Sequence, residues 1–216
     1  MPETSDVRAP LLTPADDPSE EARGRLIEAT IAELRRKPFH EVSLESVAAS
    51  ANLRRGQVTQ HFPTWQSLIE AVVASWNHNR MTPLLSIGAR SGAVRLLRAI
   101  TISNASDPAL MRVLVAAVNI AASPDQPLAG RLRDQFNGFY ELVEATLAHD
   151  IEVGREPATM DPARGAEQLI ALYEGLQIQS LVRPDMDLVA AFDRAITRLR
   201  RGWADVYLPP AWDASA

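Results

Sequence analysis

The sequence has no cysteine, which excludes disulfides, thiolate metal sites and a cysteine nucleophile. Lysine is almost missing as well: Lys37 is the only one among 22 basic residues, the rest being arginine. An arginine excess beside abundant alanine is consistent with the base composition of a gene and carries no functional meaning by itself. The four histidines, His40, His61, His78 and His149, lack metal-ligand spacing, so no metal site is expected. No apolar run approaches the ~18 residues of a membrane-spanning helix. The opening "MPETSDVRAPLLTPADDPSE" lacks the basic-then-apolar order of a signal peptide. A soluble, cytoplasmic protein without a membrane partner is the expectation. There is no nucleophile–base set, phosphate-cradling glycine loop or catalytic dyad, so neither enzymatic activity nor a cofactor is expected. Positive charge is not in excess either. Twenty-two basic against 27 acidic residues give a net charge of −5, which excludes a globally basic nucleic-acid binder but leaves room for a local basic patch.

What the sequence does have is helical periodicity. At 216 residues and 46% hydrophobic content it can bury a core in one domain or two small ones. Residues 1–18 carry four prolines and four acids against one arginine, and read as a disordered tail. Beyond them glycine and proline fall between amphipathic segments, and β-branched alternation is scarce. The first helix opens at Ser19 with acids in its first turn and closes on Arg35, Arg36 and Lys37 before Pro38, with Leu26, Ile27, Thr30, Ile31 and Leu34 facing inward. Ser43 caps a short second helix with Leu44, Val47, Ala48 and Ala51 inward. A third short helix is predicted from about Arg54 to His61, and Thr64 caps a fourth that ends near Arg80. Longer, more apolar helices follow at about 91–103, 107–122, 126–151, 161–182 and 185–206. Asp107, Ser123, Asp161 and Asp185 stand where N-caps are wanted. The expected fold is all-α, about nine helices in two blocks. The blocks divide into a three-helix domain at 19–73 and a second domain at 74–208. The first block sums to +1 over residues 20–80 and the second to −3 over 81–216, a difference that only weakly favours the first block for an anionic partner.

The segment "LRRGQVTQHFPTW", residues 53–65, carries the chemistry. A short helix, a tight turn and a second short helix with polar outward residues is the plan of a helix-turn-helix. The turn needs a left-handed residue after Ala51, and Asn52 is the best non-glycine choice. With Val47, Leu53 and Val58 inward, Arg54, Arg55, Gln57, Thr59, Gln60 and His61 face out. Arginine and glutamine are side chains that read guanine and adenine edges in a major groove. Arginine at a helix N-terminus opposes the helix dipole, and a phosphate there would reverse the sign. Arg35, Arg36 and Lys37 are equally well read as phosphate contacts or as a helix-terminal charge cluster.

Over residues 22–73, "ARGRLIEATIAELRRKPFHEVSLESVAASANLRRGQVTQHFPTWQSLIEAVV" resembles the DNA-binding domain of the tetracycline-repressor-like (TetR) regulators. Gly56, His61, Phe62, Leu68 and Ala71 fall on the family's pattern. The departures are specific. Asn52 replaces the usual turn glycine and Arg54 the usual capping serine. Thr59 stands where the family generally has a phosphate-contacting tyrosine, and Trp65 where it has a phosphate-contacting lysine. The Thr59 hydroxyl, the Trp65 indole N–H and free backbone amides at the Thr64 cap remain as phosphate donors.

The later stretch "GAEQLIALYEGLQIQSLVRPDMDLVAAFDRAITRL" is similar to the C-terminal region of such regulators, most like the choline-responsive subgroup. The resemblance implies a ligand-binding and dimerisation domain whose last two helices pair with their symmetry mates. Leu172, Leu176, Leu181, Phe192, Ile196 and Leu199 are the apolar contributors expected at that interface. Trp76, Asn77, Met81, Met111, Asn119, Phe136, Phe139, Tyr140, Tyr173 and Gln177 are the residues expected around an effector pocket. Asn119 and Gln177 lead that set, because an amide within an apolar stretch needs a partner. The implied function is a homodimeric, ligand-responsive regulator, a repressor by family habit, binding a double-stranded pseudo-palindromic operator. The alternative is a helical interaction protein of the same fold that has lost DNA recognition, motivated by Thr59 and Trp65.

Overall fold

The computed structural model describes residues 18–123, 125, 126 and 128–205, so the predicted tail apart from Pro18 and the last residues of the predicted second domain lie outside the described residues. Among the described residues nine α-helices follow one another and no strand occurs. They are α1 (Pro18–Arg36), α2 (Leu44–Ser50), α3 (Arg55–His61), α4 (Trp65–Ser91), α5 (Ala93–Ala105), α6 (Pro108–Ala121), α7 (Ala129–Glu152), α8 (Pro162–Val182) and α9 (Leu188–Trp203). A single 3-10 turn, Phe39–Glu41, separates α1 from α2. No helix among the described residues is long and apolar enough to cross a membrane.

The helix starts follow capping chemistry. The Ser43 hydroxyl accepts from the Ser46 N–H, and Asp107 and Asp161 cap α6 and α8 ahead of a proline at the first turn. Two expected caps fail. Ser123 donates its hydroxyl back to the Asn119 carbonyl of α6, so it closes the preceding helix, and α7 starts only after Leu128. Asp185 is displaced by Asp187, whose carboxylate accepts from the Ala190 N–H at 2.9 Å.

The largest departure is α4. A break was expected at "TPLLSIG", yet the helix runs on through Pro83 for 27 residues. Proline removes one N–H and crowds the preceding turn. Packing outweighs that cost: Met81 and Leu84 join a hydrophobic cluster, and Gly88 lets Leu96 of α5 approach so closely that a Cβ there would lie 3.0 Å from it. The helix stops at Gly92, at φ +89°, where a Cβ would lie 2.5 Å from the Asp150 carboxylate. That buried carboxylate accepts from the Ala93 N–H at 2.8 Å and so caps α5 from across the fold, with Arg155 paired to it at 2.7 Å.

Two cores result. The first gathers Leu26, Leu34, Val47, Val58, Phe62, Leu68 and Val72 from α1–α4, and adds Leu110, Met111, Val113 and Ala117 of α6 and Leu132 of α7. The second joins α5, α7, α8 and α9 around Leu97, Ile100, Val143, Leu147, Leu169 and Phe192. The expected division at residue 73 falls inside α4, and α6 completes the core of the N-terminal helices. Two ion pairs cross the same boundary. Arg35 of α1 holds Asp107, the α6 cap, at 2.7 Å, and Arg131 of α7 holds Glu70 of α4 at 2.9 Å.

Candidate functional site

The turn between α2 and α3 closes as the sequence required. Asn52 has φ +54°, and it is the only non-glycine residue with positive φ among the described residues. The Leu53 N–H donates to the Ala48 carbonyl at 2.8 Å and the Asn52 N–H to the Ala49 carbonyl at 3.2 Å, the paired bonds of a Schellman ending. Val58 is fully buried and pins the inner face of α3. Arg54, Arg55, Gln57 and Gln60 are exposed, while Thr59 and His61 are half-buried.

These outward residues are not equally free. The Gln57 amide oxygen accepts from the Arg54 N–H at 2.9 Å, so Gln57 supplies half of a capping box whose other half a guanidinium cannot provide. Arg55 pairs with Glu45 of α2 at 2.9 Å. The Glu45 carboxyl is held below its ordinary range by hydrogen bonds from its own backbone N–H and the Ser43 hydroxyl, with Arg55 adding to them, and this keeps it ionised. The Thr59 hydroxyl donates to the Gly56 carbonyl, and α1 fixes the far end of α3. There the Arg23 guanidinium donates to the His61 carbonyl at 2.7 Å and lies 4.4 Å over the Phe62 ring. The side chains of Arg54 and Gln60 make no hydrogen bond or ion pair among the described residues.

At the start of α4 the expectations change. The Thr64 hydroxyl accepts from the Ser67 N–H at 3.1 Å, and the Thr64 N–H donates to the Ser67 hydroxyl at 3.2 Å, so the cap uses up that amide. Trp65 is half-buried, its ring 6.2 Å from that of Phe39, and it packs on the first core. The Arg35–Arg36–Lys37 cluster is engaged inside the chain: Arg35 with Asp107, and Arg36 and Lys37 with the buried carboxylate of Glu33.

A cavity of about 300 Å³ opens between α4, α6, α7 and α8. Asn77, Met81, Phe136, Phe139 and Tyr173, all named above for an effector pocket, line it. Five expected residues do not. Trp76 is buried behind the wall with the Arg80 guanidinium 4.4 Å over its ring. Met111 belongs to the first core, and Asn119 is exposed on α6. The Tyr140 hydroxyl donates to the Ala163 carbonyl at 2.7 Å, tying α7 to α8. Gln177 is buried beside the cavity, its oxygen accepting from the Asn104 amide. Sequence reading missed Arg80, Asn104, Gln135 and Glu174. Asn104 lies in the last turn of α5, and Arg80 follows Trp76 by one helical turn; that spacing was the available signal.

The described residues contain no group of three or more His, Asp or Glu arranged to hold a metal. The sequence pattern described as "Bacterial regulatory proteins, tetR family" matches residues 26–72, and that of "BetI-type transcriptional repressor, C-terminal" matches residues 89–203. No curated protein matches the chain by sequence. Among solved structures, a TetR transcription regulator from Haloarcula marismortui ATCC 43049 superposes with TM-score 0.74 at 13% identity, covering 85% of this chain and 98% of its own. Thermus thermophilus FadR, a TetR-family repressor solved with lauroyl-CoA, gives 0.61 at 18% identity, covering 89% and 100%. A transcriptional regulator from Rhodococcus sp. Rha1 gives 0.67 at 22% identity, covering 86% and 99%. At these identities the likeness is one of fold.

Proposed function

The chain belongs to the TetR family of bacterial transcriptional regulators and is a ligand-responsive DNA-binding regulator, and we propose that it is a homodimeric cytoplasmic repressor released from its operator by a small molecule in the α4–α8 cavity. Two copies of α3 enter successive major grooves of a pseudo-palindromic site. Arg54, Arg55 and Gln60 make the outward contacts. Arg55 exchanges Glu45 for a phosphate or a base edge, since an exposed pair of this kind is weak. Gln57 and Thr59 sit on the same helix but are occupied locally, and His61 is tied through its carbonyl. Thr64 and Trp65 order the start of α4, leaving the Trp65 and Gln66 amides at its N-terminus for backbone phosphate.

The dimer forms on α8. Ala171, Gly175, Ile178 and Val182 recur at helical spacing, and Ile178 and Val182 are 51% and 76% exposed. Leu172, Leu176, Leu181 and Leu199 flank this stripe half-buried. Phe192 and Ile196 do not belong to it, because both are buried in the second core of their own chain. Signal passes along α4, which spans about 24 Å between Trp65 and Met81 at 1.5 Å per residue. A ligand that binds better in one arrangement of α4 against α6 and α7 shifts the spacing of the two recognition helices.

The observation that carries the DNA reading is the free outward pair Arg54 and Gln60 on a helix held rigidly from behind. A gel shift with DNA upstream of its own gene tests it. The variant with Arg54→Ala, Arg55→Ala and Gln60→Ala should lose the shifted band while keeping its helical circular dichroism and its dimer. Gln57 stays unmutated because it caps the helix. Sequence-selective binding by that variant would overturn the assignment of α3.

A further inference from the structure

Resting on the reading of the α4–α8 cavity as the effector site, we propose that its occupant is an apolar molecule bearing a carboxylate, which Arg80 holds. Arg80 differs from the two arginines that meet buried acids in the C-terminal half of the chain. Arg155 has Asp150 and Arg200 has Glu156, each within 3 Å. Arg80 has no carboxylate in ion-pair reach among the described residues. Its guanidinium donates to two neutral amide oxygens instead, those of Asn77 at 2.6 Å and Asn104. Its Nε–H is buried with no acceptor among the described residues.

The guanidinium is nonetheless held firmly. Asn104 is buried and its own NH₂ donates to the Tyr173 hydroxyl at 2.8 Å and to the Gln177 oxygen, so the group that orients Arg80 is itself fixed from α8. Trp76 supports the cationic face from behind. The rest of the wall around Arg80 is largely apolar, with Met81, Leu132, Phe136 and Phe139. A permanent charge at the edge of such a space, without a counter-ion, is costly. A carboxylate is the partner that offsets it, through the planar fork that arginine presents.

A quaternary ammonium, which the choline-responsive resemblance implies, fits this wall poorly. It carries the same sign as Arg80, and the Trp76 face that would receive it is already taken. Glu174 is the one lining group that favours a cation. Burial pushes its carboxyl above the ordinary range, toward the neutral form, whereas arginine stays charged throughout. Of the two charged lining groups, Arg80 is the one held in place by hydrogen bonds, while the Glu174 carboxyl makes none among the described residues.

Three ligands of one chain length decide the matter on the full-length protein by isothermal titration: decanoate, 1-decanol and decyltrimethylammonium. Decanoate should bind about 10- to 100-fold tighter than decanol, the range for a hydrogen-bonded charge, and the ammonium should bind weakest. Arg80→Met should erase the advantage of decanoate and Arg80→Lys should keep part of it, with melting temperatures confirming that both variants fold. The ligand series on the unaltered protein stands alone if Arg80→Met does not fold. Equal binding of all three, tightest binding of the ammonium, or no binding of decanoate overturns the proposal. The gel shift with decanoate added separates this inference from the reading beneath it. The charge order without operator release supports the carboxylate site and sinks control through this cavity. Operator binding that fails before any ligand is added concerns α3 alone.

Discussion

Gly56 is a helical glycine of α3 whose presence no contact within the chain explains. It lies exposed on α3 with ordinary helical backbone, and a Cβ there would meet nothing within 4 Å. Glycine in a helix interior costs roughly 1 kcal/mol relative to alanine. A bare position is useful where an outside backbone comes close. Gly56→Ala should therefore raise stability by up to about 1 kcal/mol in urea denaturation while weakening operator affinity. Equal operator affinity for the two proteins would show that no DNA backbone passes over that turn. Glu174 offers a second test at this scale. Its carboxyl, raised by burial, binds a proton more tightly folded than unfolded. That contribution favours the fold below the ordinary carboxylate value and is lost as pH rises through the raised one. Glu174→Gln, neutral throughout, should melt higher than the parent at neutral pH, with the gain fading toward the acid end of the native range. Identical melting at neutral pH would mean the carboxyl is not desolvated.

Among elements, α6 couples the two halves. Its cap Asp107 accepts from the Leu110 N–H and also pairs with Arg35 of α1, so one carboxylate both starts a helix that faces the cavity through Leu114 and grips the helix that supports α3. The two roles separate by substitution. Asp107→Ser keeps a capping oxygen and loses the ion pair; Asp107→Ala loses both, at about 1 kcal/mol for the cap. Unfolding should rank Asp107→Ala clearly below Asp107→Ser and the parent, while both variants should release operator less sharply when ligand is added. Full coupling in Asp107→Ser would move transmission to the Arg131–Glu70 pair. Much at this scale was legible in the sequence. Periodicity located the helices, capping residues fixed the starts of α2, α4, α6 and α8, and Asn52 located the turn, because those signals are local. What was not legible depended on distant partners. Pro83 is carried through α4 by packing from α5, Gly92 is shaped by Asp150, and Trp65 is drawn inward by Phe39. The cavity was half legible for the same reason: aromatic residues signal themselves, but an arginine becomes a binding group only when no acid in the fold reaches it.

For the whole molecule, the negative net charge and the weak charge difference between the blocks mean that attraction to DNA comes from a small patch. Arg54 and Arg55 are the cations that α3 presents, while Arg35, Arg36 and Lys37 are spent on Asp107 and Glu33. The family's tyrosine and lysine anchors are replaced by Thr59 and Trp65, which bring no charge. In the proposed dimer the recognition helices would neutralise about four phosphates, and each released counterion contributes about −0.9 to the slope of log affinity against log salt. Operator affinity measured by fluorescence anisotropy across salt concentrations should fall with a slope near −4. Binding indifferent to salt would sink the electrostatic role of Arg54 and Arg55. A slope about two and a half times as steep would mean that Arg35, Arg36 and Lys37 leave their internal partners on DNA. In that case the Arg35–Asp107 pair breaks when the operator is bound, and α6 feels the DNA directly.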